Sequence, residues 1–204
     1  MEKRNASDGS IVTSLKEIDY IVSFKKRNKG SFEFVVSKDS SKILIVHNEP
    51  YEKYSNEKFS YRLFDSDANL LWSANLELPY KDKYFGLSDY CVDEQGKVFM
   101  LANVTKEKSE RERKKPQYAY NLISYDHGSR KLSELPINLN DRYISDISFG
   151  IMPKGNIVIS GFFSNQSSNG VAGIFYFSID KENNEILLKG SKDFSSEFLS
   201  EFMS

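Results

Sequence analysis

The sequence predicts an all-β protein: a β-propeller-like array of four-stranded antiparallel blades, forming part of a propeller. Three observations predict it. Short runs alternate apolar and polar residues along most of the 204 residues, the period of a half-buried strand. Tight polar turns separate the runs. The group of four runs then returns twice more at a nearly constant spacing, which marks a repeat architecture.

The first group is "SFEFVVSKD" (31–39), "KILIVHN" (42–48), "KFSYRLFD" (58–65) and "LLWSANLEL" (70–78). The first run alternates early and then turns polar, the second is apolar and β-branched, the third alternates aromatic and polar residues, and the fourth follows directly. They read as four consecutive antiparallel strands joined by tight polar turns. The second group is "YFGLSDYCVD" (84–93), the turn "EQG", "KVFMLANV" (97–104), a long polar excursion, "YAYNLISYD" (118–126), the turn "HGS" and "RKLSELPINL" (130–139). The third is "YISDISFGIM" (143–152), "PKG", "NIVISGFFS" (156–164), "VAGIFYFSID" (171–180), "KENN" and "EILLKG" (185–190). Gly96 and Gly155 mark equivalent first turns 59 residues apart, and Ser41 is the expected counterpart in the first group. Asp65, Asp126 and Asp180 close the third strands, each after an aromatic or aliphatic residue.

A lone four-stranded sheet of this kind has two apolar faces and cannot bury both. Stacking sheets face to face does so. A two-sheet sandwich has similar strands, but nothing in it requires the same hairpin pair three times. The expected units are 31–79, 84–139 and 143–190. Residues 1–30, with "SIVTSLKEI" and "DYIVSFKK", read as strands from a preceding blade or a cap. Residues 191–204 read as a terminal segment leading to a further element. There Phe194, Phe198, Leu199 and Phe202 have helix-like spacing with Asp193 placed to cap, and the segment reads equally as a strand approaching a further element. Closed propellers hold about 4–8 blades, so three blades are expected to belong to a larger ring or to cover their open faces by self-association.

Composition narrows the function classes. Hydrophobic residues are 39% and charged residues 28%, a folded rather than disordered balance. With 28 basic against 29 acidic residues, no nucleic-acid partner is expected. Cys91 is the only cysteine, so no internal disulfide forms; this fits a reducing compartment and equally an exported protein that folds without disulfides. No apolar run reaches membrane-spanning length.

The polar knot Asp65, Asp67, Asn69 in "YRLFDSDANLLW" resembles the start of a calcium loop, which places oxygen ligands at alternate positions. Such a loop needs glycine at its sixth position and glutamate at its twelfth. Counted from Asp65 these are Leu70 and Leu76. Because "DHGSR" and "DKENN" stand in the same place in the other groups, the expectation is an Asx-type turn, with the carboxylate bonded to its own backbone. His47, Cys91 and His127 show no zinc-ligand spacing. Cys91 is expected to pack as a small hydrophobe, and Trp72 to pack against the adjacent blade. No phosphate-binding glycine loop and no nucleophile elbow occurs, so no cofactor is expected.

The run "KEKSERERKKP", Lys106 to Pro116, sets six cations against three anions. It reads as an extended, solvated hairpin loop with mixed charge, or as a docking patch for an acidic partner. "HNEPYEKYSNEKF" and "NQSSNGVAG" occupy the same place in the other groups, so these loops share one rim of the repeat, where binding usually resides. The expected contact residues are Tyr51, Tyr54, Arg111, Arg113, Lys114, Lys115 and Tyr118. The sequon Asn165-Gln166-Ser167 is present, but glycosylation depends on host and compartment and is not expected from the pattern alone.

"YRLFDSDANLLWSANLELPY", "FGLSDYCVDEQGKVFMLANV", "YAYNLISYD" and "DISFGIMPKGNIVISGFFS" together resemble a group of uncharacterised, six-bladed-type propeller-like envelope proteins from Bacteroidetes, over roughly residues 20 to 204. That resemblance implies a longer parent and a periplasmic, outer-surface or secreted location. It transfers no activity to any residue, and the terminal Trp-Asp dipeptide of the familiar WD blade is absent. Two functional readings follow. The first is a non-catalytic interaction module that binds protein or glycan through its rim loops. The alternative is a carbohydrate- or peptide-directed hydrolase or lyase using carboxylates near blade junctions. Asp89 and Asp146, which open successive units in "SDY" and "SDI", are its candidates; their structural reading is bonding at a strand edge. Glu107 with Glu110, and Asp141 with Asp146, bear no mark of acid–base work.

Overall fold

Hairpin closure builds this fold. The computed structural model describes residues 3–13, 17, 20, 29–153, 155–165 and 170–201. Strands β1 (Lys3–Arg4) and β2 (Ile11–Thr13) form a small antiparallel ribbon of their own. Apart from Ser10, Glu17 and Tyr20, which are in no strand, the remainder of the two expected strands within 1–30 lies outside the described residues, as do parts of the 164–170 loop and of the "PKG" turn.

Three four-stranded antiparallel sheets follow, each a simple meander. The first holds β3 (Ser31–Val36), β4 (Lys42–Asn48), β5 (Asn56–Asp65) and β6 (Leu70–Lys81). The middle sheet holds β7 (Phe85–Val92), β8 (Val98–Thr105), β9 (Tyr118–Asp126) and β10 (Lys131–Ile137). The third holds β11 (Tyr143–Ile151), β12 (Ile157–Ser164), β13 (Gly173–Ile179) and β14 (Ile186–Asp193). These are the three four-stranded antiparallel sheets that the repeat predicts.

Turn chemistry recurs with the repeat. Gly96 and Gly155 take φ of 87° and 88° and donate their N–H to Asp93 O and Met152 O. The equivalent donor in the first sheet is Ser40, at φ 60°, bonded to Ser37 O at 2.8 Å. It therefore stands one residue before the expected Ser41, because this turn is one residue longer: Ser37 N–H pairs with Lys42 O, whereas Asp93 N–H pairs with Lys97 O. The polar knot is a turn. Asp65 Oδ1 accepts the N–H of Asp67 and of Asn69, both at 2.9 Å, and Asp65 Oδ2 accepts Asn69 Nδ2 at 3.0 Å. Asp126 accepts Ser129 Oγ and Gly128 N, which hold its carboxyl below the usual carboxylate range. Asp180 accepts Glu182 N at 2.8 Å.

The chain divides into two compact units. Unit 1 comprises Met1–Phe85, Val92–Val98 and Asp126–Lys131; unit 2 comprises Gly86–Cys91, Phe99–Tyr125 and Leu132–Ser204. In unit 1, Leu44, Val46, Phe59, Tyr61, Leu63, Leu78, Val92 and Val98 are buried. Trp72 stacks on His127 with ring centroids 4.7 Å apart and planes 3° from parallel, so it does pack on a turn of the middle sheet. A Cβ on Gly96 would sit 2.5 Å from Leu63 Cδ2, which adds a steric demand to the left-handed φ. In unit 2 the core runs through Phe99, Leu101, Leu122, Ile137, Ile157, Ile159, Phe163, Phe175, Phe177 and Ile179, with Cys91 packed at its edge. Each large side chain so buried contributes roughly 1.5–3 kcal/mol.

Strands β12 and β13 alternate buried and open, and their outer face presents Phe162, Ile174 and Tyr176. Beyond β14 the chain makes a short helix, α1 (Ser196–Glu201). Its cap is Ser195, whose Oγ accepts Phe198 N–H at 3.2 Å. The expected cap, Asp193, instead ends β14 and pairs with Arg142 at 3.0 Å. Among the described residues, no helix is long and apolar enough to cross a membrane.

Candidate functional site

A four-strand meander puts the loop between its second and third strands on the same rim as the chain leaving its fourth strand. In unit 1 these two segments meet. The β4–β5 loop carries Tyr51 and Tyr54, 51% and 72% exposed. The exit from β6 is a 3-10 turn, Asp82–Tyr84. Asp82 N–H donates to Ser55 O at 3.1 Å, and the Asp82 carboxylate accepts Glu52 N–H. The Glu57 carboxyl shares a hydrogen bond with Asp82. Partial burial, then the neighbouring Asp82 charge and that bond, push Glu57 up to about 8 from 4.5. Lys53 and Lys83 hold their ammonium groups 5.2 Å and 5.5 Å from the Tyr54 ring centroid, within the range of cation–π attraction. Lys83 also lies 4.2 Å from the Tyr84 ring centroid.

Unit 2 repeats the convergence with different chemistry. The β8–β9 loop is not a featureless extension. It contains a 3-10 turn, Lys108–Glu110, closed by a capping box in which Glu107 and Glu110 exchange side-chain and backbone bonds. Arg111 Nε donates to Lys106 O at 3.1 Å, and Gln117 Nε2 donates to Glu112 O and Lys115 O. Arg113 and Lys114 stand exposed at its tip. Facing this loop is the β10–β11 connection, turned by Asn140 at φ 61° with its N–H on Asn138 Oδ1. Lys115 bridges the two walls: its ammonium lies 2.9 Å from Glu112, which holds it above its ordinary value, and 3.9 Å from Asp141.

Between these walls is a cleft of about 470 Å³, within the size range of small-ligand sites. Its lining includes Lys106, Glu112, Lys115, Pro116, Tyr118, Tyr120, Pro136, Asn138, Leu139, Asn140, Asp141 and Arg142, and the two carboxylates are the ones that Lys115 pairs with. Tyr118 donates its hydroxyl to Ile144 O at 2.6 Å and meets Tyr120 edge-to-face at 5.7 Å. Burial, with Tyr120 and Tyr143 nearby, raises the Tyr118 phenol. Arg142 braces one wall through Ser191 and Asp193 and lies 4.2 Å over the Phe163 ring.

The expected contact residues therefore fall into two groups, Tyr51 and Tyr54 in unit 1 and Arg111, Arg113, Lys114, Lys115 and Tyr118 in unit 2. Lys115 and Tyr118 line the cleft; Arg111 braces its own loop. Asp89 Oδ1 accepts the N–H of Tyr90, and Asp146 Oδ1 that of Ile147, the strand-edge bonding that the sequence offers as their structural reading. His47 is buried against Phe32 at 4.7 Å. Among the described residues, no group of three or more His, Cys, Asp or Glu is placed to hold a metal ion. Sequence reasoning missed Glu57, Asp82, Asn138 and Asn140. The available signal was the meander itself, which assigns each exit from a fourth strand to the rim of long loops.

No family model matches the chain, and no curated protein matches it. Solved structures do. A cobalt-substituted Synechocystis apocarotenoid oxygenase aligns with a TM-score of 0.50 at 11% identity, over 93% of this chain and 44% of that one. An ACO/RPE65 chimera in a trigonal crystal form aligns with a TM-score of 0.50 at 10% identity, over 94% of this chain and 44% of its own. The chain thus spans under half the length of these proteins, and the likeness carries the fold alone: it is propeller-like.

Proposed function

We propose that this protein is a non-catalytic propeller-like interaction module that binds protein or glycan through its rim loops. The observation that supports it is the repeated meeting of a long loop with the exit from a fourth strand, each time on a rigid sheet and each time presenting aromatic or cationic side chains. Loops held on a rigid scaffold are where recognition residues concentrate. The test is capture from an extract of the source organism, or on a glycan array, by the parent chain and by two variants, Tyr51→Ser with Tyr54→Ser and Arg113→Glu with Lys114→Glu. A partner retained by the parent and lost by at least one variant supports the reading; capture no better than background overturns it.

A second reading, a hydrolase or lyase acting on carbohydrate or peptide, is favoured by one observation. Glu57 is a carboxyl held in its acid form near neutrality beside Asp82, the state a general acid needs. Turnover abolished by Glu57→Gln would establish it, and no turnover across a panel of glycan and peptide substrates would dismiss it. The likeness to apocarotenoid oxygenase brings no oxygenase activity to this chain. Two further parts of the proposal concern setting. The resemblance to Bacteroidetes envelope proteins supports a periplasmic, outer-surface or secreted location, which fractionation of the native cells would check. The open face of the third sheet supports self-association.

A further inference from the structure

The cleft of unit 2 holds polar groups that its own structure does not use. Among the described residues the Lys106 ammonium, half-buried in the cleft, makes no hydrogen bond and no ion pair at contact distance, though its charge acts on the Glu112 carboxylate nearby, and the half-buried Tyr120 hydroxyl makes no hydrogen bond. Asn138 accepts a bond through Oδ1, which leaves its amide N–H groups to offer, and the Asn140 side chain is uncommitted; both asparagines are exposed. Holding the half-buried Lys106 and Tyr120 groups out of full solvation without hydrogen-bond partners is unfavourable, and a ligand that satisfies them recovers that loss. The walls beside them are fixed by other bonds: Arg142 to Asp193, and Tyr118 to Ile144 O.

We propose that this cleft binds a carboxylate-bearing sugar residue of an acidic oligosaccharide. The inference rests on the rim-loop reading above and names its ligand. The carboxylate is met by Lys106, with the exposed Arg113 and Lys114 drawing the anion toward the lip. Ring hydroxyls accept from the Asn138 and Asn140 amides and exchange bonds with Tyr120. The Tyr118–Tyr120 pair and Leu139 supply an amphipathic wall for the apolar face of the sugar ring. An acidic peptide fits less well. An extended peptide gains most by adding to a sheet edge through main-chain bonds. The edge strand here, β10, carries Pro136 in the cleft lining, and proline removes a donor from that edge.

The experiment is isothermal titration calorimetry of the whole chain with three probes: an oligogalacturonate, a neutral glucose oligomer of equal length, and oligo-aspartate of matched charge. Variants are Lys106→Met, which keeps the alkyl stem, and Tyr120→Phe, with the exposed Lys38→Ala in unit 1 as control. Thermal melts select variants folded like the parent. The expected result is saturable uronate binding, weakened at least tenfold by Lys106→Met and several-fold by Tyr120→Phe, unchanged by Lys38→Ala, and weakened by added salt. Absence of uronate binding overturns the proposal, as do equal affinity for the neutral oligomer, equal affinity for oligo-aspartate, or indifference to both cleft variants. If uronate fails while capture by the rim loops persists, this inference falls and the interaction reading stands; if both fail, both fall.

Discussion

At the scale of single residues, Glu57 makes the sharpest claim. Its acid form is favoured in the folded chain, so folding strengthens proton binding. Stability from this source is fully present below the ordinary carboxyl value of 4.5 and is lost as pH rises through about 8. Denaturant midpoints measured across that window should fall with rising pH in the parent and flatten in Glu57→Gln. Gly96 is the second test. It combines a φ of 87° with a Cβ position blocked by Leu63. Gly96→Ala should cost about 1–3 kcal/mol in urea unfolding, the range for a strained backbone position. Gly96 was legible in the sequence, since glycine in a repeated turn signals a left-handed φ. Glu57 was not, because its partner Asp82 is 25 residues away and neither residue alone bears any mark.

At the scale of elements, the strands were legible because a strand's evidence is local. In β13, Phe175 and Phe177 are buried while Ile174 and Tyr176 are open, and that alternation is written in adjacent letters. Phe177→Ala should therefore destabilise by about 3–5 kcal/mol. Tyr176→Ala, one residue away, should cost under about 1 kcal/mol. Calorimetric melting of the pair separates an element with one buried face from one buried on both. The end of the chain was less legible. Helical spacing from Phe194 suggested both a helix and the wrong cap, because Asp193 and Ser195 are each good N-cap residues. Only the length of β14, held by its register with β13 and by the Arg142 pair, decides between them.

At the scale of the whole molecule, the face carrying Phe162, Ile174, Tyr176 and Leu188, each at least 40% exposed, bears on assembly. Apolar side chains grouped this way mark contact surfaces. If a second copy covers them, light scattering should give twice the mass of one chain, returning to the single mass in Tyr176→Asp with Leu188→Asp. A single-chain mass for the parent at every concentration tested would remove self-association from the proposal.

The sequence by itself determined the repeat, the antiparallel order of twelve strands and the turns that join them. Hairpins pair neighbours along the chain, so alternation and turn residues suffice to specify them. Tertiary structure alone decided what those sheets bring together: Glu57 with Asp82, Lys115 between Glu112 and Asp141, and the tyrosines, asparagines and Lys106 around one cleft. Those meetings depend on how each exit from a fourth strand folds back across its own rim, a matter of sheet geometry and packing that no local pattern of residues encodes.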